Sequence, residues 1–359
     1  MHSRVAIVYN EPQPSRYDRS HEEKAVIGVL DSVAAVHSSL QELGYEVVLL
    51  PLTPPVEHIR NSLATMDVSL VFNLFEGFCG EPKTEALVPE IMMELGLPFT
   101  GCRAKALRLA LDKAKVKAIL KDIGIPTPDF QLLDPHTLSN FHLGYPCIVK
   151  PRNEDASHGI TAGSVVKDFA SLERQVKVVS DVYGGGALVE EFIDGREFNA
   201  TALGDARGTV LPVSEIVYSL PPEAPRILTF AAKWETESDY FRGTRVVCPA
   251  EIMAEEERNI VKVVLATFRL LDYTGYARVD MRLDGKGELN VIELNPNPDI
   301  SPGTGAARQA AASGMSYTQF IEKIMEIALE KDKYGSQNTA HVSSGQASAD
   351  ANTTSYSRI

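Results

Sequence analysis

The chain has 359 residues, 44% of them hydrophobic and 23% charged, with a formal net charge of −13. That length and balance suit a soluble protein of two or three domains with real cores. The negative charge argues against a general nucleic-acid surface, which needs clustered Lys and Arg; no apolar run is long enough to span a membrane, and the N-terminus lacks the shape of a signal peptide. The four cysteines, Cys79, Cys102, Cys147 and Cys248, are widely spaced. They suggest neither a zinc site nor a disulfide framework and fit a reducing, cytoplasmic setting.

In chain order, Arg4–Tyr9 is a short apolar run of the kind found in buried parallel strands. A helix is expected from about Glu22 to Leu43, with Gly44 as its stop. Strands follow at Tyr45–Leu50 and Ser69–Leu74, then a helix over Pro82–Leu95 and a short strand at Pro98–Thr100. Alternating strands and helices predict an open α/β layer over the first hundred residues. No GxGxxG follows the first strand, which disfavours a nicotinamide dehydrogenase.

Ala104–Ile123 is predicted as one helix carrying Lys105, Lys113, Lys115, Lys117 and Lys121. Lys150 differs from these, because it ends the apolar strand Gly144–Lys150 and is held at the strand tip by Pro151. The polar loop Arg152–Gly159 leads into a further strand, Ile160–Val166. A strand–loop–strand of this kind can close over a polyphosphate, with the lysine as a point charge, or it can be an ordinary surface hairpin. Gly184-Gly-Gly precedes the strand Ala187–Ile193 but lacks the Gly-Lys-Ser/Thr of a P-loop. Glu190 and Glu191 sit in that otherwise apolar strand, where a carboxylate needs a partner. Glu197 starts the next strand, an edge position from which a carboxylate can take ribose hydroxyls. Tyr218–Phe241 is proline-punctuated and holds Lys233 and Trp234, the single Trp.

A helix over Glu251–Leu271 precedes an expected hairpin, Ala277–Leu283 with Leu289–Asn295. With Gly285–Glu288 as its loop, Asp280 lies opposite Glu293 and Arg278 opposite Asn295. Arg278, Asp280 and Arg282 share one face, while Ile292 and Leu294 point to the packed side. Two carboxylates and an amide oxygen at one spot suit Mg²⁺; they also suit a solvated face with ordinary ion pairs. Gly305–Ser313 is helical and Ser316–Lys331 amphipathic, with Phe320, Ile324, Ile327 and Ala328 on one face. From Asp332 the composition is that of a disordered tail.

Lys113, the strand Ile148-Val-Lys150-Pro, the run Glu190-Glu-Phe-Ile-Asp-Gly-Arg-Glu197, and Arg278-Val-Asp280 through Glu293-Leu-Asn295 together resemble the ATP-grasp superfamily. Within it they resemble the D-alanine–D-alanine ligase family. The closing Ala306-Ala-Arg-Gln through Gly314-Met-Ser-Tyr, and the early Gly80-Glu81 and Pro98-Phe-Thr-Gly101, look like ligase elements too. The resemblance implies an N-terminal open α/β domain (1–101), a small central domain (102–183), a C-terminal domain with an antiparallel sheet (184–331), and a tail (332–359). It implies that Lys113 and Lys150 hold ATP phosphates, Glu190, Glu191, Phe192 and Ile193 the adenine, and Glu197 the ribose. Lys233 would reach the phosphates from the lid, and Asp280, Glu293 and Asn295 would hold Mg²⁺, or Mn²⁺ in its place. Arg278 would stabilise the charge on the attacked carbonyl. The family makes an acyl phosphate from a carboxylate and ATP and then displaces phosphate with an amine. A homodimer with small-molecule substrates is also implied.

The departures lie where substrate is chosen. The first strand ends in Tyr9-Asn-Glu-Pro-Gln-Pro without the family's Gly-Gly-x-Ser-x-Glu-Arg-Glu. The lid loop is Glu154-Asp-Ala-Ser-His-Gly159, with Ala156 where a hydroxyl stands. Trp234 replaces a tyrosine, Asn297-Pro298-Asp299 replaces Ser-Pro-Gly, and Phe75-Glu76-Gly77 lacks the family's histidine. The expectation is a carboxylate–amine ligase on a small acid and an amino acid or amine. D-alanine–D-alanine ligase itself and an ATP-binding regulatory protein without turnover stand as alternatives.

Overall fold

The computed structural model describes residues 3–13, 28–204, 208–272 and 274–330. It contains three sheets. The first is parallel, in the order β2-β1-β3, from β1 (Arg4–Asn10), β2 (Glu46–Leu52) and β3 (Leu70–Leu74). Val5, Ala6, Ile7 and Val8 are fully buried, as a parallel strand covered on both faces must be. Val5 and Ile7 pack with α1 (Val29–Glu42) and with Phe320, Ile321 and Ile324 of the helix at 317–330. Val8 and Val71 meet Ile59 and Leu63 of α2 (Val56–Ala64) and Ile91 and Met92 of α3 (Leu87–Glu94). Helix α2 has no counterpart in the sequence reading, because two apolar positions four apart are a thin periodic signal. The first half of the helix expected over Glu22–Leu43 and the tail from Asp332 lie outside the described residues. The helix expected over Pro82–Leu95 is instead a 3₁₀ turn, Pro82–Thr84, followed by α3, and Phe99 makes a single bridge to Val71.

Residues 104–123 do not form one helix. They form α4 (Ala104–Leu111) and α5 (Lys113–Asp122), broken at Asp112, whose side chain accepts from Lys115 N and caps α5. An internal Asp competes for backbone donors and favours a cap over a helix interior. The break also frees both Asp112 oxygens for Arg152, at 2.9 and 2.6 Å, which ties the start of the polar loop to the head of α5.

The second sheet is antiparallel, in the order β4-β7-β5-β6, from β4 (Phe130–Leu133), β5 (Cys147–Pro151), β6 (Val165–Val166) and β7 (Ala187–Glu191). The strand expected over Ile160–Val166 is reduced to β6 by the 3₁₀ turn Ala162–Ser164. Helix α6 (Phe169–Tyr183) covers the sheet with Leu172, Val176 and Val179. Strand β7 lies between β4 and β5, so this sheet draws on residues on both sides of position 183.

The third sheet runs β11-β10-β8-β12-β13, with β9 (Thr209–Val210) beside β8. Its strands are β8 (Glu197–Leu203), β10 (Ser214–Tyr218), β11 (Thr244–Val247), β12 (Tyr276–Leu283) and β13 (Leu289–Pro296). Helices α4, α5 and α8 (Ala254–Phe268) bury their apolar faces on this sheet, against Phe198, Ala277, Val279, Met281 and Val291. Gly275, at φ +71°, lets the start of β12 touch the N-terminal part: a Cβ there would stand 2.2 Å from Gly101 C. No described helix is long and apolar enough to cross a membrane.

Candidate active site

The hairpin β12–β13 pairs Asp280 with Glu293 and Arg278 with Asn295, as its alternation predicts. It does so by a different route. Leu283 pairs with Leu289, so the loop has one more residue than expected, and Ile292 is left over as a bulge between Val291 and Glu293. The two offsets cancel at the site. The bulge also corrects one placement: Val291 takes the core position and Ile292 lines the cavity beside Glu293.

That cavity lies between the second and third sheets. Ten of the residues picked out in the sequence line it: Lys113, Lys150, Glu190, Glu191, Phe192, Ile193, Glu197, Lys233, Asp280 and Glu293. Arg278 and Asn295 do not line it and reach it through Asp280. Arg278 clamps that carboxylate with two bonds, at 2.6 and 2.8 Å, and Asn295 Nδ2 donates to it at 3.0 Å.

One end of the cavity is a buried charge triad. Glu190, 1% exposed, takes Lys150 Nζ at 2.9 Å and Lys117 Nζ at 3.3 Å on its two oxygens. This is the partner the strand carboxylate needed. Burial alone would raise the Glu190 carboxyl, but the charges of Lys117 and Lys150 hold it below its usual range. Burial drives Lys117 down to about 8, with Lys150 adding to the effect and Glu190 opposing it. In the sequence Lys117 is one of five lysines between 104 and 123, and it lies one turn from Lys113 on the same side.

The other end gathers the phosphate-type charges. Lys113 Nζ is 3.0 Å from Glu293 Oε1 and also donates to the Glu154 carbonyl. Burial opposes the ionised form of Glu293, yet Lys113, Lys150 and Lys233 together bring it to about 2. Lys233 is pulled below its usual range by burial and by Arg278. At the remaining corner Glu197 accepts from Arg282 Nε at 3.1 Å and from Tyr218 Oη at 2.7 Å. Arg282 also donates to the Ile193 carbonyl at 2.7 Å. Arg282 shares the strand face of Arg278 and Asp280, but that face gave no hint of which carboxylate it would hold.

A lid covers the cavity. Phe230 N donates to Ile160 O at 3.0 Å, and the His158 and Phe230 rings lie 5.5 Å apart. Phe230 belongs to α7 (Phe230–Trp234), which carries Lys233. Trp234 packs 6.2 Å from Phe230 rather than lining the cavity.

The donor set at the hairpin suits a hard divalent cation. Asp280 and Glu293 face each other across one pair, Glu293 is ionised throughout the ordinary pH range, and the Asn295 amide oxygen is left over by the bond its nitrogen makes. Few protein ligands with room for phosphate is the pattern Mg²⁺ accepts.

The family model described as D-ala D-ala ligase C-terminus matches residues 119–326. An uncharacterised protein, y4sG, of Sinorhizobium fredii is 34% identical over 311 residues, 84% of this chain and 87% of that one. A D-alanine–D-alanine ligase of Actinobacillus succinogenes is 27% identical over 308 residues, 84% of this chain and 92% of the other. Among solved structures, a D-alanine–D-alanine ligase of Bacillus anthracis superposes with a TM-score of 0.71 at 23% identity, covering 93% of this chain and all of that one. The VanG D-Ala:D-Ser ligase of Enterococcus faecalis gives 0.71 at 20%, over 91% of this chain and all of the other. Both structural likenesses concern the fold.

Proposed function

Because the chain belongs to the D-alanine–D-alanine ligase family and has its ATP-grasp fold, we propose that it is an ATP-dependent carboxylate–amine ligase releasing ADP and phosphate. The observation that carries this reading is the convergence of Lys113, Lys150 and Lys233 with Asp280 and Glu293 on one lidded cavity. Fixed positive groups of this kind match charge spread over phosphoryl oxygens. In this reading Glu190 through Ile193 hold the adenine, Glu197 the ribose, and Lys113 and Lys150 the phosphates.

Asp280, Glu293 and Asn295 would hold Mg²⁺, which when bound neutralises phosphate oxygens. The substrate carboxylate oxygen takes the γ-phosphoryl group as the bond to ADP breaks, giving an acyl phosphate. The amine then adds to the carbonyl and phosphate leaves. In this reading Arg278, which clamps Asp280 from behind the cavity wall, meets the negative charge on that carbonyl oxygen. Lys233 approaches from α7, and the His158–Phe230 contact keeps water from the acyl phosphate.

The small acid and the amine are tested by ADP and phosphate release with Mg-ATP over a panel of carboxylic acids, amines and D- and L-amino acids, singly and in pairs. Products are identified by mass. ADP that requires a pair and accompanies the matching amide supports the reading; ATP binding without turnover on any pair favours a regulatory protein. A second reading, joining two D-alanines, is favoured by the likeness to the D-alanine–D-alanine ligases of Actinobacillus succinogenes and Bacillus anthracis, and the same panel contains that pair.

A further inference from the structure

A second cleft opens beside the nucleotide cavity, between the segment after β3 and the segment after β13. Asn73, Glu76, Glu85, Asn297 and Asp299 line it. Asp299 Oδ1 accepts from Ser301 N at 2.8 Å and from Ser32 Oγ at 3.2 Å. Asn297 Oδ1 accepts from Cys102 N at 2.7 Å, and its amide supports Glu85. Among the described residues no cation forms an ion pair with Glu76, Glu85 or Asp299. Arg278, whose charge reaches Asp299, is already clamped on Asp280.

The three acids therefore crowd one another. Glu76 keeps solvent contact at the mouth, yet withdrawal from bulk water and the charges of Asp299 and Asp155 push its carboxyl up to about 8. Glu85 is held well above the usual carboxylate range by burial, Asp155 and Glu76. Among the described residues the cluster has no positive charge set against it. An independent feature of the same cleft asks for something else. Asn73 is 2% exposed, its Oδ1 accepts from Phe75 N at 3.3 Å, and its Nδ2 has no hydrogen-bond partner. A buried NH₂ group wants an oxygen to receive it. A carboxylate oxygen would add a further acid to a cluster that repulsion and burial already push toward protonation, which is unfavourable. A hydroxyl or amide oxygen carries no such penalty.

Resting on the ligase reading above, we propose that this cleft is the amine-substrate subsite, and that it selects a cationic amine carrying a neutral oxygen and no carboxylate. Its ammonium lies against Glu76, Glu85 and Asp299, and its oxygen receives Asn73 Nδ2. The ammonium proton passes to the Glu76 carboxylate at the mouth, the freed lone pair adds to the acyl carbonyl, and the C–O bond to phosphate breaks as the phosphate leaves.

The test is calorimetric titration of the full chain, saturated with Mg²⁺ and a non-hydrolysable ATP analogue, with D- and L-alaninol, D- and L-alanine, and isopropylamine. One alaninol is expected to bind about tenfold or more tighter than the alanine of the same hand, a charge-assisted hydrogen bond's share. It should also bind tighter than isopropylamine, which has the same skeleton without the oxygen. Glu76→Gln with Asp299→Asn is expected to weaken alaninol by about tenfold or more and to remove its advantage over alanine. Asn73→Leu should erase the advantage over isopropylamine only. Nucleotide-analogue affinity should be unchanged in all variants. Alanine binding as tightly as alaninol, or alaninol not binding at all, overturns the subsite and leaves the ligase reading standing; loss of analogue binding in the wild type overturns both.

Discussion

Replacing Glu190 by glutamine removes the one negative charge between two lysines in the wall of the nucleotide cavity. Lys117 and Lys150 stand 3.3 and 2.9 Å from it, with side-chain exposures of 3% and 15% against 1% for Glu190. Deleting one partner of a buried ion pair costs about 3–5 kcal/mol, because the remaining charge is left in a poor solvent. Lys117 limits the damage: burial already holds it down to about 8, and without Glu190 it falls further and sheds its proton near neutrality. The low end of the range, about 3 kcal/mol, is therefore expected near pH 7. At about 2–4 °C per kcal/mol, the Tm should fall by roughly 6–12 °C. The sign of the pH effect follows from linkage. A lysine whose folded pKa lies below its unfolded value makes the native state gain stability as pH rises between the two. The variant widens that interval downward, so its deficit should be larger at about pH 6 than at about pH 9. Urea unfolding followed by the fluorescence of Trp234, the single Trp, measures both. A deficit below about 1 kcal/mol at both pH values, or one that grows with pH, would refute the triad as a buried charge unit.

Other outcomes follow from the same geometry. Asp280→Asn and Glu293→Gln should each lower ATP turnover by about a hundredfold or more while the far-ultraviolet spectrum is unchanged, and normal turnover in either folded variant would remove the metal assignment. Glu293, depressed to about 2, contributes stability present above the unfolded carboxylate value and lost as pH falls through about 2. Glu293→Gln should flatten that part of the acid-unfolding curve. Phe230→Ala removes a buried ring, 5% exposed, and the contact with His158. It should cost about 3–5 kcal/mol, raise the KM for ATP, and speed proteolysis at residues 152–160; unchanged cleavage there would mean the two lid segments close independently. Trp234→Tyr should alter the acid or amine preference more than the KM for ATP, and a change confined to ATP would put Trp234 with the nucleotide instead.

The hairpin was legible because strand alternation fixes which side chains share a face, and a one-residue slip would have thrown Asp280 and Glu293 to opposite sides. What alternation could not register was the longer loop and the bulge at Ile292, two local irregularities whose effects cancel at the pair that matters. The parallel layer was legible from runs such as Val5 to Val8, which are apolar on both faces. The break at Asp112 was not, since helical periodicity continues through it and only the tertiary bond to Arg152 uses the interruption. Nor did the sequence say that β7 sits between β4 and β5, because pairing order is a long-range fact. Among the site residues, those on strand tips and in the hairpin could be picked from local pattern. Lys117, Arg282 and Tyr218 could not, because each gains its role from a carboxylate 21 or more residues away, across a pairing that only the folded sheets supply.

The central claim is that a carboxylate is activated by the γ-phosphoryl group of ATP in the cavity between the second and third sheets. It is tested most directly by running the reaction with an acid from the active pair labelled with ¹⁸O in its carboxylate, and weighing the released phosphate. The account predicts one labelled oxygen in phosphate and ADP as the nucleotide product, both abolished in Glu293→Gln. Unlabelled phosphate, or AMP in place of ADP, would contradict it.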